Sequence, residues 1–148
     1  MENEPTSVPP QDTTRYAGFW KRVVASFIDG FFLGMAQFSL NILLYGFLGQ
    51  KRAPLIGLIV IPFIIIVNVA YYVAMESSTW QATLGKRAMG IIVTDAAGAR
   101  ISRGKAAGRY FAKIISGLTL GIGFIMAGFT TKKQGLHDII ADTLVVMK

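Results

Sequence analysis

The 148-residue sequence contains no cysteine, which excludes disulfides, thiol catalysis and cysteine-ligated metals. It has one histidine, His137, and a lone imidazole without a second one nearby makes a poor metal site. Charge is also scarce: 16% of residues are Asp, Glu, Lys or Arg, against 53% hydrophobic, with a mean hydropathy of +0.51. That balance suits an integral membrane protein better than a soluble domain. Acidic residues number only eight against fifteen basic ones, for a net charge of +7. Seven of the fifteen fall between Lys86 and Lys113, with no aromatic-interleaved groove pattern, so the chain lacks a nucleic-acid footprint. The cluster reads instead as a cytoplasmic loop obeying the positive-inside rule, with attraction to anionic lipid headgroups as a secondary effect.

What is present is long apolar runs. Three windows carry no charge: residues 30–50, 54–75 and 114–131, of 21, 22 and 18 residues. The first two span about 30 Å of hydrocarbon comfortably and the third is at the lower limit. The third is also rich in glycine, with Gly117, Gly121, Gly123 and Gly128. Two arrangements fit it, a full crossing or a re-entrant hairpin turning near Gly121. The fold class expected is an all-α integral membrane protein with two transmembrane helices, this third Gly-rich span, a cytoplasmic amphipathic helix and a small β-hairpin.

Along the chain, residues 1–15 hold three of the five prolines and no apolar periodicity, which predicts a disordered tail before a membrane domain over 16–148. The start lacks the basic and early apolar pattern of a signal peptide. Tyr16, Phe19 and Trp20 with Arg15, Lys21 and Arg22 form an aromatic and basic belt, placing the N-terminus in the cytoplasm at the inner membrane. On the first span, Arg22, Ala25, Ser26, Asp29, Ala36 and Gln37 share one face, flanked by Gly30, Gly34 and Asn41, while Phe27, Phe31, Phe38 and Ile42 lie opposite. Polar and small residues are expected to face protein and phenylalanines to face lipid. The second span contains Pro62, which predicts a kink, and ends on Asn68, Tyr72 and Glu76 at i, i+4, i+8. Tyr71 and Tyr72 also fit as interfacial anchors.

The polar region that follows predicts a short helix opened by Ser78 and Gln81 and displaying Lys86 and Arg87. A hairpin is expected from residues 91–94, the turn 95–99 and residues 100–102. Residues 103–115 then read as an amphipathic surface helix.

Asp29 is the only charged residue between Val23 and Gln50. It lies roughly 10 Å deeper along a helix than Arg22. A carboxylate at that depth costs several kcal/mol and faces a partner, water or a ligand path. Ser26 sits between the two as a bridge, and Lys86 or Arg87 from the loop offers an alternative partner for Asp29. Asp29 is expected to bind a proton or cation, with a structural charge network as the plainer alternative. His137 and Asp138 with no nucleophile do not make a catalytic triad.

Four stretches together resemble the RDD family of bacterial membrane proteins: Gly18-Phe19-Trp20-x-Arg22-x-x-Ala25-x-x-Ile28-Asp29; Thr83-Leu84-Gly85-Lys86-Arg87; Gly90-Ile91-x-Val93-x-Asp95-x-x-Gly98; and Gln134-Gly135-Leu136-His137-Asp138-x-x-Ala141-x-Thr143. The resemblance implies a multi-pass membrane protein with a proposed role in transport. The family arginine and first aspartate carry over to Arg22 and Asp29, and the second aspartate to Asp138, with Asp142 and Asp95 as nearby candidates. The expected function is therefore a small transporter-like protein whose site, Arg22, Ser26, Asp29 and Asp138, binds a proton, cation or small ligand. Asn68, Tyr72, Glu76, Lys86, Arg87 and His137 are expected to support it. The alternative is a scaffold or accessory subunit binding another membrane protein. No enzymatic activity, metal or cofactor is expected; a homo-oligomer is, because three short spans hardly enclose a pathway.

Overall fold

The computed structural model describes residues 15–49, 51 and 53–148. The expected tail, apart from Arg15, and Gln50 and Arg52 of the turn between the spans lie outside the described residues. Two long helices dominate: α1 (Phe19–Leu48) and α2 (Ala53–Glu76), both long and apolar enough to cross a membrane. At a rise of 1.5 Å per residue, the 30 residues of α1 extend about 45 Å, more than a hydrocarbon core requires. The first turns of α1 and the end of α2 can therefore lie at the level of the headgroups. α2 runs on through Pro62.

The remaining elements pack at one end of this pair, where α1 begins and α2 ends. They are α3 (Leu84–Ala88), β1 (Ile91–Asp95), α4 (Arg103–Leu118), α5 (Ile122–Phe129), α6 (Leu136–Ile140) and β2 (Thr143–Met147). A small core of Ala17, Ala25, Ile91, Val93, Ile101, Ala106 and Val145 joins the start of α1 to the strands and α4.

The expected hairpin is replaced by a longer-range pairing. β1 pairs antiparallel with β2, in register Ile91↔Met147 through Asp95↔Thr143. The turn itself forms, closed by Asp95 N–H to Ala99 O at 2.9 Å, with Asp95 Oδ1 accepting from Ala97 and Ala99. Residues 100–102 do not return as a strand. Ser102 caps α4 instead, its hydroxyl accepting Lys105 N–H, and only Ile101 inserts into the core. A five-residue segment rich in Val and Thr offers β1 a better pleated partner than three residues ending in a helix cap. The N-terminal segment joins the other edge of β2: Ala17 donates to Val145 O and Met147 to Arg15 O, each at 2.8 Å. The start of the first span is thus stitched to the last strand.

The short helix expected from Ser78 begins later. Ser78 closes a local turn onto Trp80 N–H, Gln81 takes a left-handed φ of 52°, and Thr83 is the cap of α3. The third apolar window does not form one straight helix. α4 and α5 meet at 102°, and the turn carries Leu120 at φ 53° and Gly121 at φ 81°. The break falls at Gly121, and α5 is only eight residues long.

On α1 the phenylalanine face is exposed as expected, but the small-residue face is covered only near its start. Ala25 and Asp29 are the buried α1 residues among those described. A Cβ added at Gly30 or Gly34 would meet nothing within 4 Å.

Candidate functional site

The buried centre of this end is a continuous charge network drawn from five helices. From α1, Arg22 donates through Nη1 to Asp138 Oδ2 on α6, through Nε to Ala17 O at 3.1 Å and through Nη2 to Lys133 O at 2.5 Å. Asp138 Oδ1 accepts from Arg109 Nε at 2.8 Å and lies 2.7 Å from its Nη2, while Gly135 N–H donates to Oδ2. Arg109, on α4, reaches on through Nη1 to Glu76 Oε2 at 2.8 Å. Glu76, the last residue of α2, takes Lys86 Nζ of α3 on Oε1 at 2.5 Å, with Lys113 Nζ 3.5 Å away. Arg109, Glu76 and Asp138 are each at most 1% exposed. Buried charges persist only when paired this fully, because each ion removed from water costs several kcal/mol.

Asp29 sits beside this network but is held differently. Its Oδ1 accepts from Tyr71 Oη and from Gly85 N–H, both at 2.8 Å, and its Oδ2 from Thr83 Oγ1 at 2.5 Å. Gly85 is required here because a Cβ at that position would fall 2.0 Å from Ala25 O. The absence of a side chain lets the N-terminus of α3 press on the backbone of α1 and deliver its N–H to the carboxylate. Asp29 therefore pins the loop after α2 onto α1 through neutral donors.

Outside the two long helices, the surroundings shift several titrating groups, Lys86, Asp138 and His137 among them. Burial and the nearby Arg109 push Lys86 down to about 7, against the pull of Glu76. Burial opposes charge on Asp138, yet the guanidiniums of Arg109 and Arg22 hold its carboxyl below the usual range. Burial pushes His137 down to about 3, so the ring is neutral at pH 7. Its Nε2 lies 3.3 Å from Asp138 Oδ1 and its Nδ1 3.4 Å from the Ser116 hydroxyl.

Of the residues read from the sequence, Arg22 and Asp138 meet directly, and Asp138 rather than Asp142 or Asp95 is the partner. Asp142 is exposed and faces Lys105, and Asp95 holds its own turn. Glu76 and His137 join the same network. Lys86 enters it through Glu76 and not through Asp29. Ser26 does not bridge Arg22 and Asp29: it is exposed, and neither residue bonds to it. Asn68 turns back to Ile64 O in its own helix, and Arg87 lies over the Trp80 ring at 4.1 Å. Tyr72 contributes a ring surface, with the Tyr110 centroid at 5.7 Å and Lys113 Nζ at 4.3 Å.

The sequence reading did not place Arg109, Lys113, Tyr71, Thr83 and Gly85 in the site. The signal for Arg109 lay in its neighbours. Ala106, Ala112 and Ser116 are small and share its face of α4, as on a helix side packed against protein, and all are buried. Among the described residues, no group of three or more His, Cys, Asp or Glu could hold a metal.

Above the network lies a cavity of about 840 Å³. Arg22, Lys86, Arg109 and Lys113 line it with Asp29 as its one carboxylate; Phe19, Phe27, Phe31, Ile114 and Phe124 supply much of the remaining wall.

No solved structure matches the chain. It is similar to the uncharacterized protein YxaI of Bacillus subtilis (strain 168), with 38% identity covering 89% of this chain and 97% of that protein. It is also 30% identical to the uncharacterized membrane protein YteJ of the same organism, covering 90% of this chain and 82% of that one. The RDD family matches residues 16–142, from the segment that pairs with β2 to the residue before that strand, and so takes in Arg22, Asp29, Glu76, Arg109 and Asp138. By that match and the two relatives, the chain is a membrane protein of the RDD family.

Proposed function

We propose that the protein is a small transporter-like membrane protein whose cavity takes a ligand carrying negative charge. The observation that carries this reading is the lining: Arg22, Arg109, Lys113 and a partly charged Lys86 against one carboxylate on an 840 Å³ cavity, with that carboxylate already accepting three hydrogen bonds. The network behind the lining is short of anions as well. Glu76 serves Lys86, Arg109 and Lys113 at once. Of the proton, cation or small ligand expected from the sequence, a ligand with negative charge best matches this lining.

In this reading the packed end faces the cytoplasm. Among the described residues, every basic one but Lys51 belongs to it, in keeping with the positive-inside rule. The bent α4–α5 pair is then a re-entrant hairpin, and Asp138 returns to the face on which Arg22 begins α1. Reconstitution tests the function. Wild type in liposomes is expected to move at least one labelled anion, in a panel running from phosphate and short carboxylates to a fatty acid and an anionic phospholipid, faster than empty vesicles, and Lys113→Gln to lose the difference. Flux equal to empty vesicles across that panel would refute transport.

A second reading, a scaffold that binds another membrane protein or a further copy of itself, draws support from the uncovered Gly30-x-x-x-Gly34 face. Crosslinking in membranes that recovers one stoichiometric partner would favour it.

A further inference from the structure

We propose that the ligand of this cavity is an anionic amphiphile, a phosphate or carboxylate head on a hydrocarbon tail, entering sideways from the bilayer between α1 and the α4–α5 pair. The inference rests on the anionic-ligand reading and adds the tail and the route.

The route follows from which walls are exposed. Phe27 and Phe31 line the cavity and are also 75% and 62% exposed. Across from them, Ile114 and Phe124 line it and are exposed too. A helix surface made of exposed phenylalanine, at the level where α1 enters hydrocarbon, meets acyl chains rather than water. The opening is therefore apolar and its floor cationic. An ion leaving water for such an opening would lose its hydration before reaching a partner, whereas the head of an amphiphile already rests at the interface while its tail stays in lipid.

The floor supplies the counter-charge. Lys113 is the cation with the loosest hold, 3.5 Å from a Glu76 oxygen that Lys86 also holds, and its side chain is 23% exposed. Its ammonium lies over the Tyr72 ring at 4.3 Å, which leaves it near the cavity without fixing it to a carboxylate. Arg22 and Lys86 keep less, at 11% and 9% of their side chains. Lys113 and Arg22 share the cavity's lining with Phe19, Phe27 and Ile114, so head and tail sites lie in one continuous space.

The test uses the purified full chain in an uncharged detergent, with thermal unfolding and native mass spectrometry as readouts. Phosphatidylglycerol is expected to bind and raise the unfolding temperature, and phosphatidylcholine with the same tails to do neither. Oleate tests a carboxylate head, and a shift with it alone identifies a fatty acid rather than a phospholipid as the amphiphile. Lys113→Gln is expected to weaken binding about tenfold, the size of one charge-assisted contact. Arg103→Gln removes an exposed charge of α4 away from the cavity and is expected to leave binding unchanged. Because Lys113→Gln changes a residue next to the network, the headgroup comparison on wild type stands as an independent measurement. Equal binding of both phospholipids, or equal losses in the two variants, would overturn the proposal. A full shift from inorganic phosphate alone would overturn the tail while leaving the anionic-ligand reading intact, and no shift from any anion would overturn both.

Discussion

Asp138→Asn exposes how far this fold depends on a single carboxylate. In the wild type the carboxylate sits between two guanidiniums, Arg22 and Arg109, with no measurable exposure. The amide keeps the shape and one accepting oxygen, but it turns an NH2 donor toward donors and cannot balance charge. Arg22 would retain Ala17 O and Lys133 O, and Arg109 would retain Glu76. What is lost is the anion that makes burial of two arginines tolerable, and breaking one partner of a buried ion pair costs about 3–5 kcal/mol. On the scale for a chain near 150 residues, that is a fall in unfolding temperature of roughly 6–20 °C. Thermal unfolding of purified protein in detergent measures it. The double replacement Arg22→Met with Asp138→Asn is expected to cost less than the sum of the single changes, because the stranded guanidinium is removed with its partner. A single variant within about 1 kcal/mol of wild type, or strict additivity, would show that the carboxylate does not carry the arginines.

Gly85→Ala places a Cβ 2.0 Å from Ala25 O, a backbone atom that cannot move aside. It is expected to free α3 from α1 and make the loop between residues 77 and 90 cleavable by protease, whereas Gly108→Ala, with open space at its Cβ, is expected to be neutral or stabilising by up to about 1 kcal/mol. Arg22→Lys keeps the charge but cannot reach Ala17 O, Lys133 O and Asp138 together, and a loss of about 1–3 kcal/mol is expected in the same unfolding assay. The pH dependence has a defined sign. His137 at about 3 stays neutral when folded while the unfolded chain takes up a proton near pH 6.5, so stability falls as pH drops below 6.5, by about 2 kcal/mol at pH 5. Asp138, held low by its arginines, adds to that loss once pH falls through the ordinary carboxylate range. Lys86 at about 7 acts in the same direction on the alkaline side: from pH 7 to about 10 the unfolded chain binds more protons, so stability rises with pH. His137→Asn is expected to flatten the decline between pH 6.5 and 4, and an unchanged slope in that variant would contradict the assignment.

Much of this was legible in the amino acids themselves. The two charge-free windows determined two long helices, because 21 and 22 uncharged residues have no stable place in water. The isolated Asp29 announced a polar contact inside an apolar helix, and the motifs around Arg22, Gly85 and Asp138 pointed to the family before any geometry did. Glycine at 121 marked where the third window breaks, since a left-handed φ is open to it at little cost.

Tertiary structure alone decided the partners. Sequence spacing suggested that Arg22 and Asp29 belong together through Ser26, yet each is closer to residues more than 40 positions away: Arg22 to Asp138, and Asp29 to Tyr71, Thr83 and Gly85. β1 ignored the adjacent segment and paired with β2, so that even its nearest register pair, Asp95↔Thr143, joins residues with 47 positions between them. Local propensity ranks what a segment can become, but it does not say which of several cations a buried carboxylate will meet. That choice is made by packing: the small faces at Ala25, Gly85, Ala106 and Ala112 set which backbones can approach, and the charges must then pair with whatever that approach brings within reach.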